Sequence, residues 1–258
     1  MTSLNSHGIR FAFGTLTVLP VRVTRWDREA TRAGMLSAPL AGLVVGLLAA
    51  ASGGLLLLGS GPLLAAVAST AVPAVLTRGL HLDGLADTAD GLGSGKSAAD
   101  ALRIMKQSDI GPFGVITLLF VLLAQVAVLQ ELYGEGWAHG AVAAAVAGVT
   151  ARLALTLASR QGVPPARPEG LGAAVAGTVP MGAAAAVTVA VVAAGSGAGA
   201  LFGGYGALHH GLAVVAGLMG AQLLLRHCVR RFGGVTGDVF GALAETAATA
   251  ALVVLALG

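Results

Sequence analysis

The sequence predicts an all-α protein: a polytopic transmembrane helical bundle of about seven spans, with an acidic helix facing the cytoplasm. Three observations predict it. Hydrophobic residues fill 56% of the 258 positions and charged residues only 10%, with a mean hydropathy of +0.85, whereas a soluble domain carries about 25% charge. Apolar runs recur near the length of roughly 20 residues that a helix needs to cross a bilayer. The 15 Lys and Arg residues fall in alternate connections only. The same numbers exclude a disordered chain, and the 39 glycines follow no three-residue period, which excludes a collagen-like one. A net charge of +3 is accounted for by basic cytoplasmic loops, so no nucleic-acid partner is implied. The single cysteine, Cys228, allows neither an internal disulfide nor a multi-cysteine metal site.

The elements follow in order. The segment before Gly34 is too mixed for a signal peptide; its apolar stretch 11–23, broken by Pro20, reads as a short interfacial or re-entrant helix. Spans are expected at 35–58, 63–76, 113–130, 137–157, 171–194, 205–225 and 240–257, with 195–204 as a Gly-, Ser- and Ala-rich loop. Arg10, Arg22, Arg25, Arg28 and Arg32 precede the first span, and Arg78, Lys96, Arg103 and Lys106 lie between the second and third. Arg152, Arg160 and Arg167 end or follow the fourth, and Arg226, Arg230 and Arg231 end or follow the sixth. The connections 59–62, 131–136 and 195–204 contain none, which orients the N-terminus and the basic loops toward the cytoplasm. Residues 1–258 thus read as one integral domain in the cell membrane, with 77–112 as a catalytic segment on its cytoplasmic face. Small residues let membrane helices approach closely, so Gly42, Gly46 and Ala50 read as a contact seam, and such seams permit a homo-oligomer.

The segment 78–93 carries the chemistry. Asp83, Asp87 and Asp90 stand at i, i+4 and i+7, which places them within an arc of about 60° on one helix face. Three carboxylates in register repel one another unless a charge offsets them. Oxygen donors of this type suit Mg²⁺, and a metal at a membrane surface suits phosphoryl transfer, with an aspartate as proton acceptor. Lys106 and the pair Arg230–Arg231 are candidate phosphate-binding residues; the arginines equally suit anchoring of the cytoplasmic end. Asp109 is either a further ligand or the turn residue before Gly111–Pro112. Asp238 suits either substrate binding or capping of the last helix, and His81 is a candidate substrate contact off the aspartate arc. Glu245 falls inside the last span and calls for a partner. His209 and His210 read as interfacial or packing residues.

The aspartate and glycine spacing is similar to that of the membrane CDP-alcohol phosphotransferases. The segments His81–Gly91, Ile104–Gly114 and Gly233–Asp238 together resemble the cobalamin synthase family, the adenosylcobinamide-GDP ribazoletransferases, and with Leu19–Pro20 and Pro39–Gly42 the resemblance spans nearly the whole chain. It implies adenosylcobinamide-GDP and α-ribazole, or its 5'-phosphate, as substrates, a corrinoid product and GMP. The residues and the resemblance together point to Mg²⁺ held by Asp83, Asp87 and Asp90, with Asp109 as the candidate fourth ligand. One departure stands out: Gln107 follows Lys106 where the family has an acidic residue, and the acid here is Asp109. A CDP-alcohol lipid phosphotransferase and a membrane ion transporter are the competing readings.

Overall fold

The computed structural model describes residues 2–257, and the side chains from residue 6. Eleven α-helices and one 3-10 turn account for almost all of it. Among the described residues there is no strand, only two isolated bridges, Arg160 with Val179 and Pro165 with Val235.

α1 (Thr2–Leu16) is followed by an extended stretch that leads into α2 (Arg28–Leu57). Asp27 caps α2 by accepting from the amides of Glu29 and Ala30 at 3.2 and 3.1 Å, and Arg25 holds its other side at 2.7 Å. α3 (Pro62–Leu76) and α4 (Leu80–Gly93) meet at an elbow of 87°. α5 (Ala98–Ile104) is short; α6 (Pro112–Glu135) and α7 (Trp137–Ala158) are long and apolar. α8 (Gly170–Val175), α9 (Met181–Gly199), α10 (Gly203–Phe232) and α11 (Gly237–Leu255) complete the chain.

Five helical stretches are long and apolar enough to cross a membrane, or six if the bent pair α3–α4 counts as one. One of the five is the 52-residue stretch Met181–Phe232, which folds back on itself. A Cβ on Gly199 would meet the carbonyl of Gly206 at 2.2 Å, and one on Gly195 would meet Val214 at 3.0 Å, so α9 and α10 pair antiparallel. α4 by itself is about 21 Å long, too short to cross a hydrocarbon core of ~30 Å, and it turns 87° away from α3.

Close backbone packing holds the bundle together. A Cβ on Gly42 would stand 2.3 Å from the Gly148 carbonyl and one on Gly46 would stand 2.9 Å from Ala145 Cα, so the α2 seam is a contact with α7. Large side chains such as Leu119, Phe120 and Leu123 on α6 point outward, as lipid contact requires. Inside, Gln125 donates to Glu245 at 3.0 Å and to Thr249 at 2.9 Å, and the buried Arg152 acts on Glu245 as an opposite charge.

Two expectations need correction. Residues 195–204 do not form a loop: α9 continues to Gly199, and the turn is only Ala200–Phe202. Their small residues serve the close approach of α9 to α10, and Gly203, at φ 87°, makes the reversal. The expected span 171–194 is broken at 176–180, where Pro180 stands extended before α9.

Candidate active site

One end of the bundle gathers the chemistry. α4 begins at the elbow, where Arg78 and Gly79 adopt φ values of 54° and 72°. Its inner face carries small residues where other helices press closest. A Cβ on Gly84 would stand 2.5 Å from the Asp238 carbonyl, and one on Gly91 would stand 2.7 Å from Met105. Glycine at 84 therefore brings the first turn of α11 against α4, and glycine at 91 admits Met105 at the end of α5.

The motif 233–238 builds that first turn. Gly233, at φ 82°, ends α10, and Gly234 lies so close to Pro164–Ala166 that a Cβ would stand 2.4 Å from the Pro164 carbonyl. Val235 exchanges backbone bonds with this loop, donating to Pro164 at 3.0 Å and accepting from Ala166 at 2.9 Å. Thr236, not Asp238, is the helix cap, accepting from the amide of Val239 at 3.3 Å. Asp238 is thereby left free of the cap. Its carboxylate accepts from Thr236 Oγ1 at 3.1 Å and stands 3.7 Å from Arg167.

The four carboxylates differ in setting. Asp83 is exposed, Asp87 half-buried and Asp90 buried. Burial, then the charges of Asp83, Asp238 and Asp90, pushes Asp87 up to about 7, with Arg167 opposing. Asp90 accepts from the amides of Gly111 at 2.7 Å and Gly114 at 2.9 Å, so it caps α6 from a distance and ties the loop before it to α4. Asp109 lies exposed in that loop, two residues before Gly111.

The basic residues frame the cluster. Arg167 donates to the carbonyl of Leu102 as well as facing Asp238. Lys106 pairs with Glu169 at 2.9 Å and lies within electrostatic range of Asp238. Arg231 donates to the Lys96 carbonyl and stacks over Phe232, while Arg230 is exposed beside it. His81 points inward, 3% exposed, and shares a small cavity of about 110 Å³ with Asp83 and Asp238. Burial, reinforced by Arg152, lowers its pKa well below the usual imidazole range, so the ring is neutral.

The sequence-derived residues Asp83, Asp87, Asp90, Asp238 and Lys106 are thus brought to one place. Arg167 and Glu169 escaped sequence reasoning, because they sit in an irregular loop with no periodicity to mark them. Among the described residues no three His, Cys, Asp or Glu side chains are placed to hold a metal ion by themselves. The donors still fit Mg²⁺, which is commonly bound by one or two carboxylates completed by waters and substrate phosphates.

Comparison with known proteins bears on the chemistry. A family model described as cobalamin-5-phosphate synthase matches residues 8–256. An adenosylcobinamide-GDP ribazoletransferase of Frankia casuarinae is 46% identical, over 96% of this chain and 94% of its own. Another of that name from Nocardioides sp. is 40% identical over 94% of this chain and 95% of its own. One from Escherichia coli is 37% identical over 89% and 91% respectively. No solved structure matches.

Proposed function

Because the chain belongs to the cobalamin-5-phosphate synthase family, we propose that it transfers the adenosylcobinamide-phosphate moiety of adenosylcobinamide-GDP to α-ribazole or α-ribazole 5'-phosphate, releasing GMP. The acceptor's ribose hydroxyl attacks the phosphorus attached to cobinamide. A new P–O bond forms to the ribose, and the P–O bond to GMP breaks. Near-full-length likeness to relatives named for this reaction favours it over the CDP-alcohol lipid transfer and ion-transport readings.

The observation that carries the chemical reading is the meeting of Asp83 and Asp87 on α4 with Asp238 and Arg167. Asp87, with Asp83 or Asp238 beside it, would hold Mg²⁺ completed by waters and substrate phosphates, and the ion would offset phosphate charge and ease departure of GMP. One carboxylate of the cluster accepts the proton of the attacking hydroxyl. Arg167 and Lys106 bind the pyrophosphate, while Arg230 and Arg231 extend the positive rim toward the nucleotide. Asp90 fixes the loop that carries Asp109, whose exposed carboxylate is a candidate further ligand. His81 packs behind the acidic face and, being neutral, adds no charge to it.

We also place this end in the cytoplasm. Counting the bent pair α3–α4 as one pass and the α9–α10 hairpin as two, seven passes leave every basic connection on the α4 side and none on the other. Purified full chain in liposomes should form the corrinoid product and GMP in equal amounts. It should give no comparable turnover with CDP-diacylglycerol and an alcohol. Lipid transfer without GMP release would overturn this reading.

A further inference from the structure

A wide cavity lies on the other flank of the acidic face. It has a volume of about 610 Å³, within the range of roughly 300–1,000 Å³ typical of small-ligand sites. Asp83 lines it, together with Leu82 and Ala86 of α4. On the helical wheel Leu82 and Ala86 lie about 60–100° to one side of Asp83, while Gly84 and His81, which touch α11, lie about 100–160° to the other. The acidic stripe therefore separates this cavity from the side occupied by Asp238 and Arg167.

The walls are chemically divided. Ile110 and Leu118 continue the apolar side. Opposite them, Thr15, Thr17 and Thr77 donate their hydroxyl protons to the carbonyls of Phe11, Phe13 and Pro73, at 2.6, 2.6 and 2.9 Å. Thr17 Oγ1 also accepts from the Leu19 amide at 3.2 Å; the lone pairs that remain at these oxygens, chiefly those of Thr15 and Thr77, accept from a ligand's hydroxyls. Arg78 is the only cation lining the cavity, and it forms no ion pair among the described residues. It is also the only described non-glycine residue with a positive φ, at 54°. The backbone conformation closes the end of α3, with the Arg78 amide donating to Val75 at 3.1 Å and the Gly79 amide to Ala74 at 2.8 Å, and it leaves an unpaired guanidinium on the cavity wall, free to meet an anionic group.

We propose that this cavity binds the acceptor nucleoside, its base against Leu82, Ala86, Ile110 and Leu118, one ribose hydroxyl toward the threonines and the attacking one toward Asp83, with Arg78 holding a 5'-phosphate when one is present. The inference rests on the transfer reaction proposed above and adds to it the route of each substrate. The acceptor enters on one flank of Asp83 and the much larger corrinoid nucleotide on the other. Their reacting groups meet at the acidic stripe.

Kinetics and binding on the full chain in detergent test this. Leu118→Trp fills the apolar wall and should raise the acceptor KM about tenfold while the adenosylcobinamide-GDP KM stays within about twofold. Arg78→Gly relieves the backbone instead of straining it, so the variant folds; it should raise the KM for α-ribazole 5'-phosphate about tenfold and that for α-ribazole less than twofold. Equilibrium binding of α-ribazole 5'-phosphate without the donor should weaken in parallel. Unchanged acceptor binding in both variants, or a rise in the donor KM instead, would overturn the assignment. Wild-type chain that binds the acceptor at this cavity but never releases GMP would strike the transfer reading and leave the cavity assignment standing.

Discussion

Arg167 faces Asp238 at 3.7 Å while also donating to the Leu102 carbonyl, so one guanidinium ties the loop after α7 to both α5 and α11. Both groups of the ion pair are largely buried, 16% and 26% exposed, which strengthens their attraction relative to a surface pair. Arg167→Met should keep the side-chain bulk but leave the carboxylates without their counter-charge. Turnover should fall by about tenfold or more, the scale on which a charged contact to reacting phosphate acts. The check is kcat/KM for adenosylcobinamide-GDP beside the elution profile of the folded protein.

Gly84 offers a steric test. A methyl group there would stand 2.5 Å from the Asp238 carbonyl, so Gly84→Ala must push α4 from α11, at a cost of about 1–3 kcal/mol. Gly54, in α2, has nothing within 4 Å. Gly54→Ala should gain about 0.5–1 kcal/mol of helix stability. Thermal unfolding in detergent compares the two. The pair should move in opposite directions, and only Gly84→Ala should lose turnover.

Asp90 does structural work that its neighbours do not. Asp90→Ala strands the amides of Gly111 and Gly114 inside the protein and should cost about 1–3 kcal/mol. Asp83, which is exposed, should tolerate Asp83→Ala without loss of stability. Melting temperatures of the two metal-free variants check this contrast.

The acidic face also makes a pH prediction for the metal-free protein. Asp87 is raised from 3.8 to about 7, so the folded chain binds its proton more tightly than the unfolded one. Stability is therefore highest below the unfolded value and falls as pH rises through the window from about 4 to 7. The melting temperature should drop between pH 5 and pH 8, and Mg²⁺ at pH 8 should restore it. Asp87→Asn should flatten the profile.

Much of this was legible in sequence, for a physical reason. The 3.6-residue period alone places Asp83, Asp87 and Asp90 on one face, and the absence of Lys and Arg from alternate turns marks the two ends of the bundle. Glycine was harder to read. At 195–204 it signals both loop and close helix packing, and only the partner α10 decides between them. Asp238 resembled a cap, yet Thr236, two residues earlier, takes that place. Arg167 could not be found locally, because it joins the site only after Gly234 and Val235 have threaded past Pro164. Asp90 shows the converse: its place on the face was legible, but its bonds to Gly111 and Gly114 close a loop that no spacing reveals.

The central claim is that Asp83, Asp87 and Asp238 act together on the pyrophosphate. Its most direct test is GMP release, measured against Mg²⁺ concentration, for wild type and for Asp83→Asn, Asp87→Asn and Asp238→Asn. Each substitution keeps the shape and removes a charge. The account predicts folded variants whose turnover is down about tenfold or more, with wild-type activity abolished by EDTA and restored by Mg²⁺. Near-wild-type turnover in all three variants at limiting Mg²⁺ would contradict it.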